Sequence, residues 1–397
     1  MTLQWNQVVA ARAAKLAPSA FGDLDGIRDV SDLIFFAGGT PPLEKLPIAR
    51  LRQASADSWE EAAGILHYGE SQGHQPLIEL IAERMAARGA PVDAARIMIT
   101  NGSQQGLDLI ARTLFDPGDV VVVEGPTYFG AMQAFDAYEV TYRTAPVDEE
   151  GLIPEAVEEL FRQQPTPKAL YTVPTFQNPT GVTITQERRE QIIALSHQYN
   201  VPVIEDDPYG ELHFPGNAVP PLYALDDSVV YLGSFSKTLA PALRMGWMVM
   251  PEAITAALVN SKEAVDIQSD RFVQRAVVSA AADGWLDQHL VEARELYAAR
   301  CQYMLAALER EMPSGTSWNI PGGGFFLWVG LPDGLTSNAL MPFAASHGVA
   351  YLPGSAFFPD RRQEPALRLG FSTFSEAEID EGIRRLGLAT AAALNGR

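Results

Sequence analysis

The chain has 397 residues, 47% apolar and 20% charged, the proportions of a folded protein with a large buried core rather than a disordered tail or a fibre. At roughly 100–200 residues per domain, that length predicts two or three domains. Lysine and arginine number 29 against 49 acidic residues, and a formal charge of −20 argues against nucleic acid or an anionic membrane surface as the main partner. No apolar run approaches the ~18 residues of a membrane span, and the start MTLQWNQVVAARAAKLAPSAF lacks the order of a secretory signal. The single cysteine, Cys301, makes no internal disulfide, which predicts a reducing, cytoplasmic location. The six histidines lack i, i+3 or i, i+4 spacing, so no metal site is expected.

Along the chain, Ile97–Thr100 reads as a strand, and Asn101-Gly102-Ser103-Gln104-Gln105-Gly106 opens a helix running toward Phe115. Asp119–Glu124 is a strand, Tyr128–Tyr138 a helix, Lys168–Val173 a strand and Thr185–Tyr199 an amphipathic helix. Val201–Glu205, Ser228–Gly233 and Gly246–Met250 are further strands. Near-continuous apolar strands separated by helices indicate a parallel or mixed sheet covered on both faces. From Ala253 to Glu311 the pattern is helical, broken near Asp283–Gly284; then come strands Thr316–Ile320, Phe325–Gly330, Ala350–Leu352 and Leu367–Phe371 and a final helix. This predicts a large α/β unit with a mostly parallel sheet, followed by a smaller α+β unit. The divisions expected are an N-terminal arm over residues 1–45 packing near the active site, a cofactor-binding domain over 46–285 and a small domain over 286–397.

Open α/β sheets bind ligands beyond the carboxyl ends of their strands, so the four loops there are the places to look for chemistry. Ser103 and Gln104 stand at a helix start, where free N–H groups and the dipole favour a phosphate; alone, such a stretch is an ordinary N-cap. Phe176-Gln177-Asn178-Pro179-Thr180-Gly181 is a fixed turn that offers Asn178 as a neutral donor, and Glu205-Asp206-Asp207-Pro208-Tyr209 sets acids at a strand end. Gly233-Ser234-Phe235-Ser236-Lys237-Thr238, with Arg244 following, combines hydroxyls and a guanidinium suited to phosphate oxygens with a lysine that can act as a nucleophile. An anion nest, a carboxylate, neutral donors and a lysine amine together match one cofactor. That cofactor is pyridoxal 5′-phosphate.

The order of these loops closely resembles the fold-type I aminotransferases of classes I and II, particularly the subgroup of aminoadipate and kynurenine aminotransferases. The resemblance runs from FAGG at Phe36–Gly39 through PTYFGAMQAF, FQNPTG, EDDPYGEL, GSFSKTLAPALR and PGGGFFLW to LRLGFS at Leu367–Ser372. It implies that Lys237 binds the cofactor aldehyde and moves the substrate proton, and that Asp206 keeps the pyridine nitrogen protonated. Tyr209 and Asn178 match donors to the phenolic oxygen, Tyr128 the ring stacked on the pyridine, and Pro208 a neighbouring cofactor contact. Ser103, Gln104, Ser234, Ser236 and Arg244 match the phosphate cradle. Tyr68, in HYGESQG, resembles the tyrosine that completes the neighbouring subunit's site, which implies a homodimer. Arg368, Asn178 and the Gly39 N–H match the groups that bind the substrate α-carboxylate. The partners implied are an amino acid and a 2-oxo acid.

Two departures stand out. Ala242 replaces a frequent glycine, and Gly22 occupies the place where aminoadipate-type members carry an arginine for a distal carboxylate, with Arg28 the nearest candidate. The expected reaction is therefore transfer of the α-amino group of a large neutral, aromatic or aliphatic, L-amino acid to a 2-oxo acid such as 2-oxoglutarate. An acidic-donor enzyme and a pyridoxal-phosphate lyase are the alternatives. Ser234-x-x-Lys237 also spells the S-x-x-K of serine acyl-enzymes, but the S-D-N and K-T-G elements that must accompany it do not occur. A regulator with an aminotransferase-like domain would need a basic DNA-binding module ahead of the sheet, whereas only a short segment precedes Phe36.

Overall fold

The computed structural model describes residues 3–16, 22, 32–216 and 218–396. The described strands are β1 (Ile34–Phe35), β2 (Ile97–Thr100), β3 (Val120–Gly125), β4 (Thr141–Asp148), β5 (Gly151–Leu152), β6 (Ala169–Thr172), β7 (Val203–Asp206), β8 (Val230–Ser234), β9 (Gly246–Val249), β10 (Ser317–Trp318), β11 (Phe326–Gly330), β12 (Val349–Ala350), β13 (Leu352–Pro353) and β14 (Ala366–Gly370). Eight of them form one sheet in the order β2-β9-β8-β7-β6-β3-β4-β5. The contacts β4–β3–β6–β7–β8 are parallel, whereas β9 runs antiparallel between β8 and β2. The central strands are buried on both faces, which is why they read as unbroken apolar runs rather than alternating ones.

Two apolar clusters flank this sheet. One gathers Leu107, Ile110, Val121, Val123, Phe135, Tyr171, Ile204 and Leu232 beneath the helices Ser103–Leu114 and Phe129–Asp136. The other is larger and continues into the C-terminal region, where β10-β11-β14-β13 form an antiparallel sheet. The fold expected from the sequence, a large mixed and mostly parallel sheet with a smaller α+β unit, is therefore present.

The expected strand Ala350–Leu352 is corrected to two. Val349–Ala350 pairs in parallel with Ile34–Phe35, while Leu352–Pro353 joins the four-stranded sheet. The helical stretch breaks at Asp283 and Gly284, both at positive φ, as expected, and also after Asp266. There Ile267 adopts φ 66° and Asp270 caps the next helix by accepting a 3.1 Å hydrogen bond from the Val273 N–H. A β-branched residue in the left-handed region is no sequence signal for a break. Strand β4 was likewise not expected, because most of its residues are only half-buried and give no clear alternation.

Candidate active site

A cavity of about 320 Å³ opens at the carboxyl ends of the parallel strands. Its walls bring together Ser103, Gln104, Tyr128, Asn178, Asp206, Pro208, Tyr209, Ser234, Ser236, Lys237, Arg244, Gly39 and Arg368. These residues come from separate stretches of chain, most of them placed by the end of a strand or the start of a helix. Tyr68 is not among them: it is 80% exposed and lines a separate surface hollow with Gly69 and Arg271. The charged residues of the wall are Asp206, Lys237, Arg244 and Arg368, three cations against one anion. In a chain of net charge −20, this cavity is built for anions.

At one end, the helix Ser103–Leu114 starts from Gly102, whose φ of 75° suits glycine. A Cβ on Gly102 would collide with the Arg244 guanidinium, so the bare backbone lets that cation lie over the helix start. Arg244 itself stands at φ 49° and donates 3.3 Å hydrogen bonds to the carbonyls of Pro241 and Asn101. The Ser234 hydroxyl accepts from the Ser236 N–H at 3.1 Å. The Gln104 side chain is engaged elsewhere, donating to the Gly130 carbonyl at 2.6 Å and accepting from the Tyr128 hydroxyl at 3.5 Å. What Gln104 offers an anion is its backbone N–H. This end has the donor set of a phosphate site.

In the middle, Asp206 is buried, and its Oδ2 accepts a 2.9 Å hydrogen bond from the Tyr171 hydroxyl. Its Oδ1 has no partner among the described residues. Burial lifts this carboxyl to about 7, against the opposing pull of Tyr171 and of Lys237. Lys237 donates to the Gly39 carbonyl at 2.8 Å. Burial, with Arg368 and Arg244 nearby, lowers its ammonium to about 8. Tyr128 is pushed up to about 12, chiefly by burial, so its ring stays neutral. Tyr209 packs edge-on against Phe325 and Phe326 with centroids 5.6 and 5.8 Å away.

At the far end, Arg368 is buried with its guanidinium carbon 4.0 Å from the centre of the Phe326 ring. It donates to Asn178 Oδ1 at 2.7 Å and to the Ala37 carbonyl at 2.6 Å, while its Nε is buried without a partner among the described residues. An unpartnered buried donor on a cation is an open place for a carboxylate.

The structure also supplies residues that sequence reasoning missed. Tyr171 supports Asp206, Phe326 underlies Arg368, and Glu124 ties down the Asn178 turn through Gln177 at 2.7 Å and the Val173 N–H at 3.1 Å. Phe326 lies in the quoted PGGGFFLW stretch; Tyr171 and Glu124 sit within strands and carry no loop signal.

Residues 31–386 match the family described as aminotransferase class I and II. The chain belongs to the class I and II aminotransferases. This aminotransferase is 40% identical to aromatic-amino-acid aminotransferase 1 of Thermococcus litoralis over 393 residues, 97% of this chain and 94% of the relative. The crystal structure of a multiple substrate aminotransferase from Thermococcus profundus superposes with a TM-score of 0.95 at 36% identity, covering 100% of both chains. That of an α-aminoadipate aminotransferase from Thermus thermophilus, complexed with N-(5′-phosphopyridoxyl)-L-leucine, gives 0.92 at 34% identity, again over 100% of both. The donor set of the aminotransferase's cavity fits pyridoxal phosphate: a phosphate nest, an acid with a free oxygen for the ring nitrogen, and a buried lysine that gives up its proton more readily than usual. No helix among the described residues is long and apolar enough to cross a membrane.

Proposed function

We propose that this pyridoxal-phosphate-dependent transaminase takes its amino group from a large neutral L-amino acid, aromatic or aliphatic, and passes it to a 2-oxo acid, with 2-oxoglutarate the expected acceptor. The observation that carries this reading is the commitment of the three cations of the cavity. Arg244 serves the phosphate, Lys237 the aldehyde and Arg368 the α-carboxylate, which leaves no further cation on the described wall for a distal carboxylate. Phe129, Val173 and Phe326 line the same space and suit an apolar side chain. Burying a distal carboxylate there without a partner would cost several kcal/mol. Arg28, the candidate for a distal clamp, lies outside the described residues, as does most of Ser19–Arg28.

Pyridoxal phosphate, when bound, supplies an aldehyde for the amino group and a ring that accepts the electron pair released at Cα. The protein supplies position and protons. Ser103, the Gln104 N–H, Ser234, Ser236 and Arg244 hold the phosphate. Asp206 Oδ1 keeps a proton on the ring nitrogen, Tyr209 and the Asn178 amide donate to the phenolic oxygen, and Tyr128 and Pro208 close the walls. Arg368, with the Gly39 N–H, fixes the α-carboxylate and so the direction of the Cα–H bond. Lys237 Nζ, which lines the same cavity, would be the group that moves the proton at Cα once the substrate amine has displaced it from the aldehyde, a task that its lowered affinity for protons suits.

In the same reading the enzyme is a homodimer in which Tyr68 of one subunit completes the phosphate site of the other; its exposure on the single chain supports this. The chain divides into an arm over 1–45, a cofactor domain over 46–285 and a small domain over 286–397. In support, the eight-stranded sheet falls wholly within the second part, and the helix Trp285–Glu311 begins at the second boundary. A cytoplasmic location belongs to this reading too. The deciding experiment is kcat/KM with leucine, phenylalanine, aminoadipate and glutamate against 2-oxoglutarate. The neutral donors are expected to lead, and an aminoadipate preference above about tenfold, ~1.4 kcal/mol, would place a distal cation in the N-terminal arm.

A further inference from the structure

Asp206 sits at the end of β7 with one oxygen occupied and one free. The occupied oxygen, Oδ2, is held by Tyr171 from the neighbouring strand β6. The register pairs Tyr171 with Ile204, two residues before Asp206 and on the same face, so the phenol reaches along the sheet to the carboxylate. The Tyr171 ring is fully buried and packs edge-on against Phe135 at 5.6 Å, and Phe135 packs edge-on against Phe115 at 5.3 Å. Three rings in series leave the hydroxyl little freedom. Tyr171 is absent from the cavity wall and Asp206 is on it, so the hydrogen bond approaches the carboxylate from within the protein.

The other ionisable groups around Asp206 do not take this role. Asp207 repels it, with its own charge held by Arg88 at 2.6 Å and by the Tyr231 hydroxyl at 3.1 Å. Lys237 favours the carboxylate through space but donates its hydrogen bond to Gly39. Glu124 on β3 is engaged by Thr172, Val173 and Gln177, and the Tyr128 hydroxyl meets Gln104. Tyr209 and Arg368 face each other and Asn178 across the cavity. Among the described residues, the side chain that donates to Asp206 is Tyr171.

We propose that Tyr171 is a positioning residue that keeps Asp206 ionised and aims its free oxygen at the ring nitrogen of the cofactor. The proposal rests on the reading of Asp206 as the partner of that nitrogen. A hydrogen bond to a buried carboxylate favours the charged form; without it both oxygens would be buried with no donor, and the proton would stay on the carboxyl rather than on the ring. The electron-accepting power of the ring would fall accordingly.

Tyr171→Phe removes one oxygen and keeps the ring that Phe135 packs against. Both proteins are loaded with pyridoxal phosphate carrying nitrogen-15 in its ring, and the nitrogen chemical shift is read together with steady-state rates. In the wild type the nitrogen is expected to be protonated; in Tyr171→Phe its shift moves toward that of neutral pyridine and kcat falls about tenfold to a hundredfold, with the donor KM little changed. An unchanged nitrogen signal and kcat in loaded Tyr171→Phe overturn the role of Tyr171 alone. An unprotonated nitrogen in the wild type overturns the reading of Asp206 as well. Should the variant not fold, 3-fluorotyrosine at position 171 is a stronger donor of nearly equal size. The Asp206 carboxyl of the cofactor-free protein, followed by carbon-13 and assigned with Asp206→Asn, should then titrate at lower pH, and an unmoved titration overturns the proposal.

Discussion

Arg368 and Asn178 are joined by a 2.7 Å hydrogen bond from the guanidinium to the amide oxygen. This fixes two polar groups of the same cavity relative to each other. In the proposed reading, the group that would meet the substrate carboxylate also orients the amide whose nitrogen would face the cofactor's phenolic oxygen; the Ala37 carbonyl and Phe326 ring hold the guanidinium plane from its other sides. Such a planar fork is not interchangeable with an ammonium.

Arg368→Lys should therefore lower donor kcat/KM by about tenfold to a hundredfold, each lost charge-assisted bond costing about 1.5–3 kcal/mol. The loss should appear in KM through weaker carboxylate binding and also in kcat through a less fixed Cα–H bond. Steady-state kinetics with the cofactor absorbance intact checks this, and a change confined to kcat would contradict the clamp.

Lys237→Ala should abolish turnover and the borohydride-stable attachment of the cofactor, with peptide mapping as the readout. The lowered ammonium of Lys237 sets a pH dependence in the cofactor-free enzyme. Below about pH 8 the group is mostly cationic and unreactive; above it the amine is free. Acylation of Lys237 should rise through that pH, and in Arg244→Gln, where a neighbouring positive charge is gone, the rise should shift to higher pH.

Asp206→Asn keeps the size but cannot hold a pyridinium, so it should cost several kcal/mol of barrier, at ~1.4 kcal/mol per tenfold in rate. Arg244→Ala should act on phosphate affinity instead. Added pyridoxal phosphate should partly restore Arg244→Ala and leave Asp206→Asn slow; equal restoration of both would contradict this division.

Tyr68→Ala homodimers should bind the cofactor weakly if each site borrows a tyrosine from its neighbour. Mixing them with inactive Lys237→Ala subunits should raise activity at limiting cofactor, because the heterodimer holds one complete site. No gain after subunit exchange, verified by differently tagged subunits, would return Tyr68 to a role within its own chain.

Elements with strong local signals were legible in the amino-acid order. The strand Ile97–Thr100 coincides with its expected bounds, and the buried strands through Val123, Leu170, Ile204 and Leu232 read as apolar runs because both faces are covered. The loop residues at their ends were legible because glycine, proline, hydroxyls and a lysine at a strand terminus have few purely structural uses in combination. The remaining features arise from contacts between segments distant along the chain. That Tyr171 reaches Asp206 depends on the register of β6 against β7, and that Glu124 tethers the Asn178 turn depends on β3 lying beside β6. The pairing that sets Val349–Ala350 apart from Leu352–Pro353 joins Val349 to Ile34, across most of the chain. Pairing partners and side-chain approach across strands are set by long-range packing, which composition and periodicity along one segment do not encode.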